Sequence, residues 1–587
     1  MPRCGGTGLY GGSPASQGIV RFGVFELDFR ASELRKQGTK VKLQEQPFQI
    51  LQVLLQRPGE IVTREELQQK IWPSDTFVDF DHGLYNAIKR LREALEDSAE
   101  TPRFVETLSR RGYRFVGRIE CDAPRVRSLA VLPLENLSHD PHQEYFAEGL
   151  TEALITTLAK IGELRVVSRT SATQYKGVHK PLSEIARELG VDAIVEGTVL
   201  RVGRRVRITA QLIDAAKETH LWAESYERDL RDVLALQAEL AKAIAREIRV
   251  KLTPLDQARF AEVRTVDPEA YEAYLRGRYH WNRRSSEGLG KAAENFRQAI
   301  TKDPTSPSAH AGLADCLSVL GFWGLVRPDD GCGKAKQFAQ KALEIDASLA
   351  EAHASLAFAT TFYDYDFVTA EREFNRSFEL NQRYATAHHW FGLYLGFTGR
   401  YEEGYTELKR SIGLDPQAIM YQTLGTVFFF AARRYDQAIE QYDKALEMDP
   451  RLASTHCLLG LAYQHKSMHE PAIAAARKAV ELSGGATLFT AMLGDVYAAA
   501  GYRDEAEKVL AQLQEISKQQ YVTPYAMARL YAALCKQDEA LRWLETAYRE
   551  RAALMVCLKT DPEFDDMRSD PRFEDLLRRM NFPIAGY

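Results

Sequence analysis

From Asp267 onward, helix-ending boundaries return at a near-constant interval: Asp303-Pro304, Asp346, Asn381, Asp415-Pro416, Asp449-Pro450 and Ser483. The successive steps are 43, 35, 34, 34 and 34 residues. Inside the units a small residue recurs at Ala314, Ala357, Gly392, Gly425, Gly460 and Gly494, and a second at Gly404, Ala438, Ala472 and Ala506. A further residue, mostly apolar and large, stands four positions on, at Leu408, Tyr442, Ala476 and Leu510. Small residues at fixed points let two helices cross closely, and one such hairpin buries its apolar face only by stacking on a neighbour. The pattern predicts an α-solenoid over 267–560, with an insert near Trp323–Gly333 in the long step. The polar stretch 561–587 is expected to cap it.

The N-terminal hundred residues follow other periods. RFGVFELDFRASELRKQGTKVKL alternates apolar and polar around a turn at Gly38, which predicts a small antiparallel sheet. Phe48, Leu51, Leu54 and Leu55 form a helical stripe that Arg57-Pro58-Gly59 ends. Thr63 caps a second helix, with Glu66 at capping-box spacing, and Pro73 stops it after Trp72. GLYNAIKRLREALED reads as a third helix, and RFVETLSRRGYRFVG as two short strands joined around Arg110-Arg111-Gly112. Helix, turn, helix and β-ribbon make a winged helix (α+β) over 18–120, after a flexible tail at 1–17. Over 126–253, SLAVLPL, LRVVS and a hairpin about Gly203-Arg204 alternate with amphipathic helices, which predicts a small α/β domain. The fold class expected is multidomain and mainly α.

Composition narrows the function. The 587 residues are 45% hydrophobic and 27% charged, a globular balance. Net charge is 76 − 81 = −5, so no global positive field draws the chain to nucleic acid or membrane, and any DNA contact must be local. No 18-residue apolar run occurs, the first residues lack the apolar h-region expected of a secretory leader, and the seven cysteines show no metal or disulfide spacing. A cytoplasmic location without membrane contact is expected. No P-loop, HExxH or GxSxG motif occurs, and the adjacent His388 and His389 do not share a helix face. The expectation is a non-enzyme with no catalytic residues, metal or cofactor. The alternative enzyme reading places a cryptic site in 126–253.

The third helix has two faces. Leu84, Ile88, Leu91 and Leu95 share one, while His82, Tyr85, Asn86, Lys89, Arg90 and Arg92 fall largely on the other. Such a face suits the major groove, where Asn pairs adenine and Lys or Arg reaches guanine or phosphate. Arg110, Arg111 and Arg114 on the ribbon reach backbone or minor groove. From Leu84 to Arg118 there are eight Lys or Arg against five Asp or Glu. A solvated mixed-charge face is the competing reading.

Three stretches, RPGEIVTREELQQKIWP, IKRLREALED and TLSRRGYRF, resemble the OmpR/PhoB-type winged-helix family over about 18–118. The resemblance implies double-stranded DNA as partner, a recognition helix at 81–97 and a wing at 109–114. It also implies contact with RNA polymerase through the loop Pro73–Phe80. Seventeen tail residues hold no receiver domain, so phosphoacceptor control in cis is not expected; the order of parts is similar to CadC- and HilA-like regulators. AVLPLENLS, EGLTEALITTLAKIGELRVVSRTS, IARELGVDAIVEGTV and VRITAQLIDA resemble TolB amino-terminal-like modules. The 34-residue period and its small residues resemble the tetratricopeptide family.

In that family the position occupied here by Val319, Phe362, Phe397, Phe430 and His465 commonly lines the concave groove. The resemblance therefore suggests Phe362, Phe397 and Phe430 as a ladder that binds a protein partner; the competing reading packs them between hairpins. The whole reads as a DNA-binding transcription regulator whose array and α/β module sense or recruit a protein. The alternative is a scaffold in which DNA binding is minor.

Overall fold

The computed structural model describes residues 19–583 except Arg30, 73–79, Arg118, 121–125, His139, Lys160, 162–163, 249–264 and 283–285. The expected tail, and the loop expected to meet RNA polymerase as far as residue 79, lie outside the described residues. The chain divides into two units at Arg125/Val126.

In the first unit, β1 (Ile19–Phe22), β2 (Phe25–Asp28), β3 (Glu33–Lys36) and β4 (Thr39–Val41) form an antiparallel meander. Its inward residues Val20, Phe22, Phe25, Leu27 and Leu34 are buried. α1 (Glu45–Gln56) lays Phe48, Leu51, Leu54 and Leu55 into the same core. After β5 (Ile61–Val62), α2 (Arg64–Ile71) begins on the expected capping box. The Glu66 amide donates to Thr63 Oγ1 at 3.2 Å, and the Thr63 amide to Glu66 Oε2 at 2.9 Å. α3 (Phe80–Leu95) follows, then β6 (Val105–Leu108) and β7 (Gly112–Phe115), which pair as the wing, with β5 on the outer side of β7. β8 (Ile119–Glu120) returns to pair with β1.

The second unit opens with β9 (Ser128–Val131), β10 (Glu135–Asn136), α4 (Glu144–Ala159), β11 (Arg165–Val166), α5 (Arg169–Thr173) and α6 (Leu182–Leu189). β12 (Ala193–Val202), β13 (Arg205–Asp214), β14 (Thr219–Asp229) and α7 (Val233–Glu247) follow. The sheet runs β11-β9-β12-β13-β14, parallel at β11, β9 and β12 and antiparallel thereafter. β14 is not predicted from the sequence. It is an edge strand with Trp222 as its one buried side chain, so it offers little apolar alternation to read.

Helical hairpins make up the rest, beginning with Pro268–Trp281 and Ser286–Lys302. The recurrent small residues stand where helices cross. A Cβ on Gly392 would lie 2.6 Å from Leu408, one on Gly425 2.5 Å from Tyr442, and one on Gly494 2.8 Å from Leu530. The α/β part and the array share apolar core: Tyr271 and Leu275 of the first array helix pack with α4 and α7. Leu275 fills the space over Gly149, and Glu152 pairs with Arg278 and accepts from Asn282 Nδ2 at 2.7 Å.

The C-terminal stretch departs from a simple end cap. Residues 552–568 run back along the array. Tyr365 donates to the Ala552 carbonyl at 2.9 Å, Arg551 pairs with Asp364 at 3.1 Å, and Arg433 pairs with Asp565 at 3.0 Å. At its centre the buried Arg529 joins Asp495 (3.0 Å) to Asp561, which also accepts from Tyr525 at 2.7 Å. Phe582 stacks on Phe367 with centroids 5.2 Å apart.

Candidate nucleic-acid interface

The core stripe of α3 is as expected: Leu84, Ile88, Leu91 and Leu95 are buried, with Ala87 between them. His82, Tyr85, Asn86, Lys89 and Arg90 are exposed on the opposite side. Tyr85 stands out, an aromatic ring 66% exposed on a helix whose other large apolar side chains are covered. The Arg90 guanidinium donates to the Gln44 side chain, which ties the exposed face to the start of α1.

Two of the nine candidate residues are half-buried and engaged by partners within the protein. Arg92 is half-buried, and its Nη2 donates to the Val105 carbonyl at 2.7 Å and to Thr107 Oγ1 at 2.8 Å. Arg114 pairs across the wing with Glu106, with donor–acceptor distances of 2.6 and 2.9 Å. In this structure both brace the fold rather than standing free toward solvent. Each charge already has an acceptor, and moving it to a phosphate would uncover that partner.

Asp97, just past α3, is a positioning residue that the sequence pattern does not single out. Its carboxylate accepts from the amides of Ser98 (2.9 Å), Arg103 (2.6 Å), Phe104 (3.1 Å) and Val105 (2.7 Å). It clamps the end of α3 to the start of β6 and so fixes the spacing between helix and wing. An acid a few residues before a loop proline, Pro102, is too common a pattern to reveal this.

The wing turn places Arg110 and Arg111 outward, both exposed. Arg110 has φ +61°, and the Arg111 amide donates to the Leu108 carbonyl at 2.9 Å, which closes the turn. Gly112 follows at φ +138°, where a Cβ would lie 2.1 Å from the Val62 carbonyl oxygen. Only glycine lets β7 pass β5 this closely, which is the steric reason for the Arg-Gly-Tyr order. The exposed set His82, Tyr85, Asn86, Lys89, Arg90, Arg110 and Arg111 offers donors, cations and an aromatic face, the chemistry that base edges and phosphates accept.

The aromatic ladder in the array is present but covered. Phe362, Phe397 and Phe430 are 0%, 1% and 6% exposed. Phe362 meets Phe397 with centroids 6.4 Å apart, and Phe397 meets Phe430 at 5.7 Å, edge to face. Phe362 is wedged between Phe322 and Phe358. The rings do not form an open ladder: Phe362 is packed between hairpins, as the competing reading holds, while Phe397 and Phe430 are largely covered yet border the pocket of the array. His388 and His389 diverge, the first to Glu407 and the Gln382 carbonyl, the second to Thr423 at 2.7 Å. No cluster of three or more His, Cys, Asp or Glu fit for a metal occurs among the described residues. Nor is any described helix long and apolar enough to cross a membrane.

Comparison with known proteins gives the parts their families. Residues 38–115 match the family described as "Transcriptional regulatory protein, C terminal". Residues 125–243 match "HilA/YgeH-like transcriptional regulator, second domain", a more specific description than the TolB likeness. Residues 429–467 and 453–484 match tetratricopeptide repeats. A Rhizobium meliloti (strain 1021) protein that carries an adenylate-cyclase name is 33% identical over 276 residues; the match spans 46% of each chain. The Transcriptional regulator HilA of Salmonella typhimurium is 24% identical over 69% of this chain and 72% of its own. Among solved structures, the Thermotoga maritima response regulator DrrB, an OmpR/PhoB homolog, is 32% identical over 17% of this chain and 45% of its own, with a TM-score of 0.16.

Proposed function

We propose that this chain, which carries an OmpR/PhoB-type effector domain, a HilA-like second domain and tetratricopeptide repeats, is a cytoplasmic transcription regulator that binds double-stranded DNA. The observation that carries the reading is the two-faced α3 beside an exposed Arg110-Arg111 turn. Phosphate contacts from the turn fix register without reading sequence, and Asn86 and Lys89 meet base edges. Arg92 and Asp97 hold helix and wing at the spacing that lets both reach one duplex, and Arg114 braces the two strands of the wing. RNA polymerase, met through the loop at 73–80, belongs to the same proposal.

The array supplies protein interaction, and the α/β part joins it in one core. We read the chain as a binding protein rather than an enzyme. The cyclase name describes a relative of which this chain spans 46%, so that activity stays with the relative. A genome-wide map of DNA bound by the full chain tests the proposal. A few sharp promoter sites support it; uniform, weak occupancy that disappears with modest salt would leave only non-specific charge attraction.

A further inference from the structure

The array holds a partly open pocket of about 780 Å³. Two pieces of chain outside the regular repeat help to wall it. The insert after the helix Pro307–Phe322 crosses to the far hairpins, where Trp323 packs on Phe489 with centroids 6.0 Å apart and Arg327 lies over the Tyr521 ring. The returning C-terminal segment contributes Leu554 and Cys557 to the wall. A space of this size lies within the roughly 300–1,000 Å³ of small-molecule sites.

The wall has a consistent chemistry. Trp390, Leu393, Phe397, Phe430, Phe489 and Met492 supply an apolar body. Polar groups gather on the helix Ala418–Phe430 and its neighbour: Gln422, Thr423, Thr426 and Ser454. The Gln422 carbonyl oxygen accepts from Ser454 and Thr455, both at 2.7 Å, so the amide presents its N–H donors. Thr426 donates to the Gln422 backbone carbonyl at 2.9 Å, so its oxygen presents lone pairs. Asp449 and Arg451 carry the formal charges on the wall; they face each other at 3.7 Å, and the Arg451 side chain is 85% exposed. The buried His389 also lines the wall, with its Nε2 held to Thr423 at 2.7 Å, so a ligand carboxylate would meet only an engaged imidazole and an exposed, already paired arginine, which leaves much of its desolvation cost unmet.

We propose that this compartment binds a neutral amphipathic small molecule, apolar along most of its length, with a hydroxyl, carbonyl or amide group at one end. The apolar part lies among the aromatic rings, and the polar end meets Gln422 and Thr426. The inference stands apart from DNA binding and is tested without it.

The full chain is titrated with the neutral fluorophore N-phenyl-1-naphthylamine, followed by competition with 1-decanol, decanoate and decane. Saturable fluorescence is expected, displaced by decanol about tenfold more effectively than by decanoate. Leu458→Trp, which fills the cavity, should abolish the signal while circular dichroism stays helical. Thr426→Val keeps the shape and covers the case in which the larger change unfolds the array. It should weaken decanol several-fold and leave the fluorophore unchanged. Absence of saturable binding, decanoate matching decanol, or decanol affinity unchanged in Thr426→Val would each overturn the proposal.

Discussion

The Arg92 guanidinium on the last turn of α3 donates to the backbone carbonyl of Val105 in the wing, 2.7 Å away. A charged donor thus joins the two parts of the DNA-binding surface from behind. Arg92→Met should keep the aliphatic packing and remove the hydrogen bonds. Hydrogen bonds to charged groups are worth roughly 1.5–3 kcal/mol, so the N-terminal unit should be destabilised on that scale. Urea denaturation of residues 19–125 measures it. A change below ~0.5 kcal/mol would show that the brace is incidental.

Asn86 and Lys89 are exposed on the opposite face of the same helix. Asn86→Ala and Lys89→Ala should each weaken operator binding by roughly 1–3 kcal/mol, the range of a bidentate base contact. Stability should be unaffected, because neither side chain touches the Leu84/Ile88/Leu91 core. Equal operator affinity in both variants and the unaltered chain, at fixed salt, would put the wrong face on DNA.

Arg110 and Arg111 should act through charge alone. Replacing both with alanine should weaken all sequences alike and reduce the slope of log affinity against log salt by roughly 0.9 for each phosphate no longer neutralised. A sequence-selective weakening with an unchanged slope would instead make the wing a reader of bases.

Phe397 is 1% exposed, so Phe397→Ser tests packing rather than partner capture. Truncating a buried Phe costs roughly 3–5 kcal/mol, and serine adds a buried hydroxyl. The array should melt at a lower temperature and less cooperatively, while DNA binding by the N-terminal unit persists. A fully stable variant would contradict the interior placement of the ladder.

Acid and base should act oppositely near Arg529. Burial pushes the Glu563 carboxyl up to about 7, against the pull of Arg529 and with support from the negative charges of Asp561 and Asp566. Burial also raises Asp495 beside Arg529, while His465 is held down to about 4 by burial and by that same arginine. A raised carboxyl means that the folded chain keeps a proton which the unfolded chain releases. Its stabilising contribution is full below the ordinary carboxylate range and is lost as pH rises through about 7. The lowered His465 works the other way, costing stability as pH falls below its ordinary range. Glu563→Gln removes the first effect alone. Relative to the unaltered chain, this variant should gain stability on going from about pH 5 to about pH 8 in thermal melts. A gap that is the same at both values would mean that Glu563 does not titrate in that window.

Elements built on local periodicity were legible before the structure. Thr63 and Glu66 sit three apart and cap α2, and the 34-residue steps place Gly392, Gly425 and Gly494 at the helix crossings. The exposed side of α3 followed from its buried stripe. What escaped depends on pairings between residues far apart in the chain. Asp97 and Arg92 look like ordinary solvated charges until β6 is folded against them. Phe397 and Phe430 occupy groove positions of their repeats, but packing of the rings on one another, with the Trp323 insert and the returning segment beside them, leaves little of either exposed. β14 carries too few apolar side chains to announce a strand, since its main partner is the backbone of β13.

Leu275 filling the space over Gly149 has a consequence for descent. Where two domains merely touch, recombination can trade one and keep the other. Here the α/β part contributes half of an oily seam to the first array helix, so a new array would arrive without a matching face. The pair is expected to be inherited as a block, and exchange of parts in such proteins should occur on the N-terminal side of Val126, where one kind of effector head can replace another.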